Sequence, residues 1–376
     1  MQKFIIIGAG ILGASTAYHL AKAGAHVTLV DRKDLGQATD AAAGIVCPWL
    51  SQRRNKAWYQ LVKAGARYYP ELIEKLKEDG ETETGYSRVG ALSLHIDENK
   101  LEKMAERARK RREDAPEIGD ITILSPSETK KLFPPLSEEY GSVHVSGGAR
   151  VNGRALRNAL VRSAIKKGAI FLQGDAQLVH KGNRVIGIQL KNETLIADQV
   201  IVTGGVWTKD LLKPLGVNFL VSSQKAQIVH LEIQNTDTSE WPVVMPPNDQ
   251  YILAFEDGRV VVGATHEDEA GLDYRVTAGG INEVMGKALG VAPGLTNSTM
   301  IETRVGFRPF TPGFLPVIGA VPNYKGLLLA NGLGASGLTS GPFLGSELAK
   351  LALNKDTELD LSSYDLAGAI EMEDEK

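Results

Sequence analysis

Cysteine is almost absent from this chain of 376 residues, which contains only Cys47. A single cysteine cannot form an internal disulfide, and this fits a reducing compartment. A catalytic thiol usually has a histidine as its partner, and no histidine lies near Cys47 in the sequence. We therefore interpret Cys47 as a packed side chain.

Long apolar runs are also absent. No uninterrupted apolar stretch approaches the roughly 18 residues that indicate a membrane-spanning helix. The N-terminus does not resemble a signal peptide, because Lys3 is followed at once by a short strand-like run and then by glycines. We expect a protein without a transmembrane segment that resides in the cytoplasm.

Charge of one sign is not in excess. Charged residues make up 23% of the chain and the formal net charge is −3, which provides no electrostatic attraction to nucleic acid. The richest basic run, residues 107–112, has Glu106, Glu113 and Asp114 beside it, so we interpret it as a solvated helix face. No spacing of His, Cys and Asp is typical of a metal site, and we expect no metal.

Glycine, in contrast, is abundant, and one cluster follows a strand-like segment at the N-terminus. Residues 4–7 are apolar and largely β-branched, which predicts a buried strand. The motif GAGILG at 8–13 comes next, then a helix predicted over 14–23 and a strand predicted over 26–30 that ends at Asp31. This order is typical of a βαβ unit that binds an adenine dinucleotide.

Each part of this unit has a physical role. Gly8 permits the tight turn, Gly10 lets a pyrophosphate approach the backbone, and Gly13 lets the helix pack against the strand. The helix N-terminus offers free N–H groups and the positive end of a dipole to the pyrophosphate. Asp31 lies 18 residues after Gly13, where its carboxylate can accept hydrogen bonds from the ribose hydroxyls.

Two later segments favour FAD over NAD. Residues 198–207 predict a buried strand that ends at Thr203, Gly204 and Gly205, a pattern found beneath the ADP portion of FAD in many flavoproteins. Near the C-terminus, a strand predicted over 327–330 leads through a glycine-rich turn into a helix predicted over 343–353. A helix N-terminus with small residues suits the pyrimidine edge of a flavin, where negative charge develops on reduction.

Four stretches make the sequence similar to the D-amino acid oxidase superfamily of FAD-dependent oxidoreductases, within its glycine oxidase and D-amino acid dehydrogenase branch. They are residues 8–13 with Asp31, the small-residue run 40–45, the segment 251–265, and residues 306–319 followed by the turn 331–342. They lie in the family's order and span nearly the whole chain.

The resemblance implies an α/β fold (α+β overall) with two interleaved domains. A Rossmann-like FAD/NAD(P)-binding domain is expected to comprise residues 1–85, 142–218 and 317–376. A substrate-binding domain with a mixed, mostly antiparallel β-sheet is expected to comprise residues 86–141 and 219–316.

The resemblance also implies which residues meet the substrate. Arg308 would hold the substrate carboxylate, since a guanidinium is planar, permanently charged and able to grip both oxygens. Arg304 is the competing candidate, and a structural salt bridge is the alternative role. Tyr251 matches a tyrosine that closes over the carboxylate, with a core tyrosine as the alternative. His266 is expected to face the pocket, although a lone histidine is more often structural.

The expected FAD contacts come from the N-terminal motif, the strand ends and the C-terminal turn. They are Gly8, Gly10, Ile11, Leu12, Gly13, Asp31, Arg32, Ala42, Ala43, Gly44, Ile45, Gln177, Thr203, Gly204, Gly205, Trp207, Arg308, Gly334, Ala335, Ser336, Gly337, Leu338 and Thr339. No histidine or cysteine stands where the covalently flavinylated members attach FAD, so we expect non-covalent FAD.

Together these features predict an FAD-dependent oxidase or dehydrogenase for glycine, sarcosine or a small D-amino acid. A hydride would pass from the α C–H to flavin N5, and the resulting imine would hydrolyse to an oxo acid. The expected electron acceptor is oxygen or a quinone or other carrier, and the chain is a candidate homo-oligomer. Two alternatives stay open: a module that acts on a modified tRNA base, and a flavin-binding subunit of a hetero-oligomeric dehydrogenase.

Two departures from glycine oxidase concern the choice of substrate. Asp249 stands where glycine oxidases often carry histidine, and residues 333–336 lack the bulky or charged side chains of that enzyme. Both departures weigh against glycine itself as the substrate.

Overall fold

The computed structural model describes residues 1–372. Its strands, numbered in chain order, are β1 Lys3–Ile7, β2 His26–Asp31, β3 Ile45–Val46, β4 Ala91–His95, β5 Ile121–Leu124, β6 Gly141–Val145, β7 Ala149–Arg150, β8 Ile170–Gln173, β9 Ala176–Lys181, β10 Arg184–Leu190, β11 Glu193–Ile196, β12 Gln199–Val202, β13 Val217–Phe219, β14 Ser222–Glu232, β15 Val243–Met245, β16 Tyr251–Ala254, β17 Arg259–Gly263, β18 Thr299–Phe310, β19 Val317–Ala320, β20 Leu327–Asn331 and β21 Ile370–Met372. The α-helices are α1 Ile11–Lys22, α2 Ala38–Ala41, α3 Lys56–Glu78, α4 Glu98–Arg112, α5 Pro126–Leu132, α6 Gly153–Lys166, α7 Thr208–Leu212, α8 Ala278–Val291 and α9 Gly337–Ala352. None of these helices, in the part of the chain that the structure describes, combines the length and the apolar character needed to cross a membrane.

The N-terminal strand lies in the interior of a six-stranded sheet. The strand order is β19-β20-β12-β1-β2-β8, and all neighbours are parallel except β19 and β20. In β1, Ile6 lies opposite Ile201 on one side and Leu29 on the other. Because the strands of a parallel sheet are covered on both faces, the continuous apolar sequence of β1 fits this position.

Different elements cover the two faces of this sheet. One face packs against α1, and α1 in turn packs against α6 and α9. On the other face, Ile5 and Val202 cluster with Val185 and Ile188 of the antiparallel meander β9-β10-β11. The sheet is therefore the middle layer between helices and a small meander.

A second sheet of eight strands holds most of the remaining chain. Its order is β18-β14-β17-β16-β15-β4-β6-β5, and only β15 and β4 pair in parallel. The predicted mixed, mostly antiparallel sheet is confirmed. The longest pair is β14 with β18, which places Gln224 opposite Arg308. One face packs on α8, where Val284 and Ala288 meet Val229.

The strand β6 shifts one of the predicted domain boundaries. A boundary at residue 142 assigns most of β6 to the FAD-binding domain, whereas β6 pairs with β4 and β5 in the eight-stranded sheet. We therefore propose that the first segment of the substrate-binding domain extends to residue 145. The interleaved division of the rest of the chain stays a proposal.

The last long helix begins earlier than predicted. It starts at Gly337 instead of Phe343, and Pro342 lies inside it. Proline lacks the N–H that would bond to the carbonyl four residues before it. That carbonyl belongs to Leu338, and it accepts a hydrogen bond from the Tyr69 hydroxyl instead. A contact with α3 thus replaces the missing helical bond.

The basic run on α4 is only partly solvated. Arg111 Nη1 donates to the carbonyl oxygens of Trp49 and Ser51 at 2.5 and 2.7 Å. Its guanidinium also lies over the Tyr59 ring, 4.5 Å from the ring centroid. The prediction of a solvated face is therefore wrong for Arg111, because α4 turns this position toward α3 and the segment before it.

The turn between β1 and α1 depends on the absence of side chains. Gly8 has a φ of +104°, a conformation that residues with a Cβ rarely adopt. A Cβ at Gly13 would lie 1.9 Å from the Gly8 carbonyl oxygen and 2.5 Å from Thr203 Oγ1. The backbone of α1 therefore touches both β1 and the residue that follows β12.

Replacing Gly13 with alanine tests this contact. We expect Gly13→Ala to lower the free energy of unfolding by about 1–3 kcal/mol, because the added methyl group overlaps backbone atoms. Gly286→Ala is the matched control. Gly286 lies in α8 and has no atom within 4 Å of an added Cβ, so this change should raise stability by about 0.4–1 kcal/mol. Urea denaturation measures both, and equal stability of Gly13→Ala and the unmodified protein would contradict the contact.

Candidate functional site

A cavity of about 830 Å³ is lined by residues of both large sheets. The carboxyl ends of β1, β12 and β20 open into it, with Gly8, Gly204 and Gly332 on its surface. Ligand pockets typically have volumes of roughly 300–1,000 Å³. Because open α/β sheets bind ligands at the carboxyl ends of their parallel strands, the cavity lies where the fold predicts a binding site.

The turn after β1 has the properties of a pyrophosphate site. A Cβ at Gly10 would have only Thr39 Oγ1 nearby, at 3.5 Å, so the missing side chain leaves space in the cavity. Gly10, the residue before α1, has no side chain that could cap the helix. The Ile11 N–H donates to Thr39 Oγ1 at 3.0 Å. The positive end of the α1 dipole therefore meets the cavity, where it favours an anion.

The carboxylate of Asp31 lies at the end of β2, buried on the wall of the same cavity. It accepts hydrogen bonds from the N–H groups of Ala9 and Lys33, both at 2.6 Å, and from Gln37 Nε2 at 2.9 Å. A carboxylate has about four acceptor positions, so one position is left for a ribose hydroxyl. This geometry fits the ribose contact proposed from the sequence.

Side-chain hydrogen bonds hold the neighbouring strand ends together. Thr203 Oγ1 donates to the Gly8 carbonyl at 2.8 Å, and Asn331 Nδ2 donates to the Gly205 carbonyl at 2.9 Å. These bonds join the ends of β1, β12 and β20. Gly204 and Gly205 then present bare backbone to the cavity, which lets a ligand approach closely.

The N-terminus of α9 also meets the cavity. A 3₁₀ turn, Gly334–Ser336, leads directly into α9 at Gly337, and these residues line the cavity. Ser336 makes no side-chain cap bond to the helix, while its hydroxyl accepts from Trp58 Nε1 at 3.0 Å. A second helix dipole is thus available to stabilise negative charge on a reduced flavin.

All but one of the expected FAD contacts line this cavity. The exception is Gly13, which packs behind the turn against Gly8 and Thr203. Sequence reasoning missed Thr39 and Trp58, which also line the cavity. Thr39 directly precedes the small-residue run 40–45, and this position in the sequence could have indicated it. Nothing in the local sequence indicates that Trp58 lines the cavity.

The eight-stranded sheet supplies the wall for a substrate. Ala226 and Ile228 of β14, Tyr251 of β16 and Arg308 of β18 line the cavity. Alternate residues of a strand face the same side of a sheet, and antiparallel pairing brings these four together across three strands. The fold therefore places Tyr251 and Arg308 on the same cavity wall, although they are far apart in the sequence.

The guanidinium of Arg308 has no acidic partner among residues 1–372. It is half-buried, and its Nη1 donates to the neutral Oε1 of Gln224 at 2.9 Å. Arg304 lies outside the cavity lining, pairs with Glu302 and donates to the Asp40 carbonyl at 3.3 Å. An unpaired guanidinium on a cavity wall is available to a ligand carboxylate, so the geometry favours Arg308 over Arg304.

The phenol of Tyr251 lies beside Arg308. Burial raises the pKa of Tyr251, and the positive charge of Arg308 opposes part of that shift. The hydroxyl therefore stays protonated at neutral pH and can donate a hydrogen bond to an anion held by Arg308.

His266 and Asp249 lie on the same wall. Burial and the Arg308 charge lower the pKa of His266, which leaves its ring neutral at pH 7. Its Nδ1 lies 3.6 Å from the Asp249 carboxylate, and Lys287 Nζ contacts the two oxygens of that carboxylate at 2.9 and 3.2 Å. Although partial burial opposes it, Lys287 lowers the pKa of Asp249. Asp249, which stands where glycine oxidases often carry histidine, was not among the predicted site residues.

Cys47 is buried in the cavity wall. Burial raises the pKa of its thiol to about 12, against a smaller opposing effect of hydrogen bonds from the Leu50 and Trp49 backbone. A protonated thiol is a poor nucleophile, which fits a packed side chain. Across residues 1–372 no group of three His, Cys, Asp or Glu side chains is arranged to hold a metal ion.

Three known proteins are similar to this chain over nearly their full length. The uncharacterized oxidoreductase YurR of Bacillus subtilis (strain 168) is 67% identical over 371 residues, which cover 98% of this chain and 100% of that protein. The crystal structure of iminodiacetate oxidase (IdaA) from Chelativorans sp. BNC1 has a TM-score of 0.94 and 48% identity, covering 96% of this chain and 98% of that chain. The glycine oxidase of Pseudomonas aeruginosa is 27% identical over 374 residues, covering 98% of this chain and 100% of that protein.

A family comparison agrees with these similarities. The family model described as FAD dependent oxidoreductase (DAO) matches residues 3–351. The resemblance to the D-amino acid oxidase superfamily, the mixed α/β fold and FAD as the cofactor are thereby confirmed. The chain belongs to the DAO family, and the protein is an FAD-dependent oxidoreductase.

Proposed function

We propose that this enzyme oxidises the C–N bond of a small amino acid or amine that carries a carboxylate on the reacting carbon. The observation that carries the proposal is the Arg308 guanidinium, which lines the cavity without an acidic partner in residues 1–372. A planar, permanently charged guanidinium is the side chain best suited to grip a carboxylate through two parallel hydrogen bonds.

The side chains near Arg308 have complementary tasks in this proposal. FAD, when bound, accepts the hydride that leaves the substrate carbon. Arg308 and Tyr251 would orient the carboxylate and so set the direction of the α C–H bond. His266, whose ring is neutral, would take a proton from the substrate ammonium and free the nitrogen lone pair. The imine product then hydrolyses to an oxo acid and an amine or ammonia.

Several small amines meet these requirements. Glycine, sarcosine and small D-amino acids each carry one carboxylate beside the reacting carbon. Iminodiacetate, a secondary amine with two carboxymethyl groups, meets them too, and the 48% identity to iminodiacetate oxidase supports its inclusion. The lower identity of 27% to glycine oxidase gives glycine itself less support.

Other features of the enzyme stay predictions. The electron acceptor is proposed to be oxygen, a quinone or another carrier, and the homo-oligomer and the cytoplasmic location have no further support. The residues that the structure describes offer no observation that favours a modified tRNA base as substrate or a role as a subunit of a hetero-oligomeric dehydrogenase.

An anaerobic titration of the holoenzyme tests the reaction. We expect at least one of glycine, sarcosine, D-alanine and iminodiacetate to bleach the visible absorption of the flavin, because the electron pair of the C–H bond passes to FAD. Admission of air then separates an oxidase, which recovers its colour quickly, from a dehydrogenase. The proposal is wrong if no amine or amino acid in the panel bleaches the flavin.

The carboxylate contact is tested by Arg308→Leu. With the substrate identified in the titration, KM should rise roughly 10- to 100-fold, since hydrogen bonds to charged groups are worth about 1.5–3 kcal/mol. Arg67→Ala is the control, because Arg67 is an exposed residue of α3 that pairs with Glu358. An unchanged KM in Arg308→Leu would exclude this arginine as the carboxylate contact.

The mode of FAD attachment has a simple test. We predict that trichloroacetic acid releases the yellow chromophore into the supernatant, because the Cys47 thiol in the cavity wall is held in its unreactive protonated form. Absorbance spectra of the supernatant and of the washed pellet measure the outcome. A pellet that keeps the flavin spectrum would demonstrate a covalent bond.

A further inference from the structure

We propose that Gln224 is a positioning residue, which holds Arg308 in place for a substrate carboxylate without neutralising its charge. This inference rests on the proposed function, since it concerns the same carboxylate contact. Gln224 was not among the residues that the sequence or the family resemblance identified.

Two hydrogen bonds set the orientation of the Gln224 amide. Its Oε1 accepts from Arg308 Nη1 at 2.9 Å, and its Nε2 donates to Asp268 Oδ1 at 2.8 Å. A guanidinium has only donors and a carboxylate has only acceptors. The amide therefore has one productive orientation, with oxygen toward Arg308 and nitrogen toward Asp268, and a flip would break both bonds.

Backbone hydrogen bonds hold the three residues close to one another. Gln224 and Arg308 are directly paired across β14 and β18. The segment after β17, which carries Asp268, is fastened to β14 by reciprocal backbone hydrogen bonds of 3.0 Å between Lys225 and Glu267. The Ser223 hydroxyl also donates to the Gly271 carbonyl at 2.7 Å. Arg308 is thus connected through one amide to a well-anchored loop.

The neutrality of the amide is the central feature of the arrangement. Arg304, on the same strand, is paired with the carboxylate of Glu302, and its charge is compensated within the protein. Arg308 meets a neutral oxygen instead, and no carboxylate of residues 1–372 pairs with it. One of its five N–H donors is used for positioning. Its charge is therefore not compensated by a carboxylate, and donors that face the cavity are available to a ligand.

The chemistry of a carboxylate at position 224 would differ. A glutamate in place of Gln224 would form an ion pair with Arg308 and compete with the substrate for the same charge. It would also face Asp268 with a second negative charge. Substitution by methionine, in contrast, removes both hydrogen bonds at nearly constant side-chain length and adds no charge. The two variants therefore separate charge from simple loss of contact.

The experiment measures binding of acetate, a carboxylate that cannot be oxidised at a C–N bond, to the holoenzyme. The dissociation constant is read from the change in the visible flavin spectrum. We expect Gln224→Glu to weaken acetate binding by at least about 10-fold, because a carboxylate beside Arg308 repels a second anion. Gln224→Met should weaken it by roughly 3-fold, as expected for one neutral hydrogen bond. Gln189→Glu on β10, outside the cavity, makes the same chemical change and should leave the dissociation constant within about 2-fold, as is usual for surface substitutions.

Steady-state kinetics provide the second measurement. With the substrate found by anaerobic titration, Gln224→Glu should raise KM while kcat changes by less than about 3-fold, because the carboxylate contact is made in the bound substrate and in the transition state alike. A merely structural role would lower the flavin content or kcat and leave the two Gln224 variants alike. Equal acetate affinity of Gln224→Glu, Gln224→Met and the unmodified enzyme overturns the proposal.

A change at Asp268 keeps the test valid if the Gln224 variants do not fold. Asp268 is exposed, so Asp268→Ala should fold normally, release the amide nitrogen and weaken acetate binding by roughly 2- to 5-fold. No effect of Asp268→Ala in that case overturns the inference. Arg308→Leu separates the two proposals: if it does not weaken acetate binding, or if the unmodified enzyme binds no acetate, the carboxylate contact itself and the proposed function fail.

Discussion

The close contact of α1 with the ends of β1 and β12 is the constraint on which the rest of the structure depends. It exists because Gly8 and Gly13 have no side chains, so that backbone meets backbone and the Thr203 side chain. The contact directs the N-terminus of α1 into the cavity and leaves Asp31 on its wall. Since α6 and α9 pack on α1, the second helix N-terminus at the cavity, at Gly337, depends on the same contact.

Charge is distributed unevenly along the cavity. At the end formed by the six-stranded sheet, the cavity presents the Asp31 carboxylate and the N-termini of α1 and α9, which suit the ribose hydroxyls and the negatively charged groups of a dinucleotide. Behind the cavity wall formed by the eight-stranded sheet, Arg304 pairs with Glu302, and Lys287 of α8 pairs with Asp249. Arg308 differs, because no carboxylate of residues 1–372 pairs with it and its neighbours include the neutral side chains of Gln224 and Tyr251. Because Arg308 lacks a carboxylate partner while the other cations are paired, this wall favours an anionic group at one position. It does not attract anions in general.

The two sheets contribute to function in different ways. The six-stranded sheet and its glycine turns form the cofactor end, and the family match over residues 3–351 covers them. Tyr251 of the eight-stranded sheet lines the cavity near Arg308, together with Asp249 and His266 from the segments beside β16 and β17. The similarity to iminodiacetate oxidase extends over both sheets, since it covers 96% of this chain.

The sequence by itself determined the dinucleotide-binding unit, the FAD cofactor and the superfamily. These depend on local information: the spacing of strand, glycine turn and helix, and backbone conformations that only glycine adopts readily. The start of α9 was missed because proline is common in the first turn of a helix, and a local pattern cannot reveal that Tyr69 of another helix replaces the lost hydrogen bond. Only the tertiary structure decided which arginine is unpaired. Arg304 and Arg308 lie on the same strand, and both need a partner to lose their free charge. Glu302 of that strand pairs with Arg304, whereas Arg308 meets the neutral amide of Gln224, which the neighbouring strand β14 supplies.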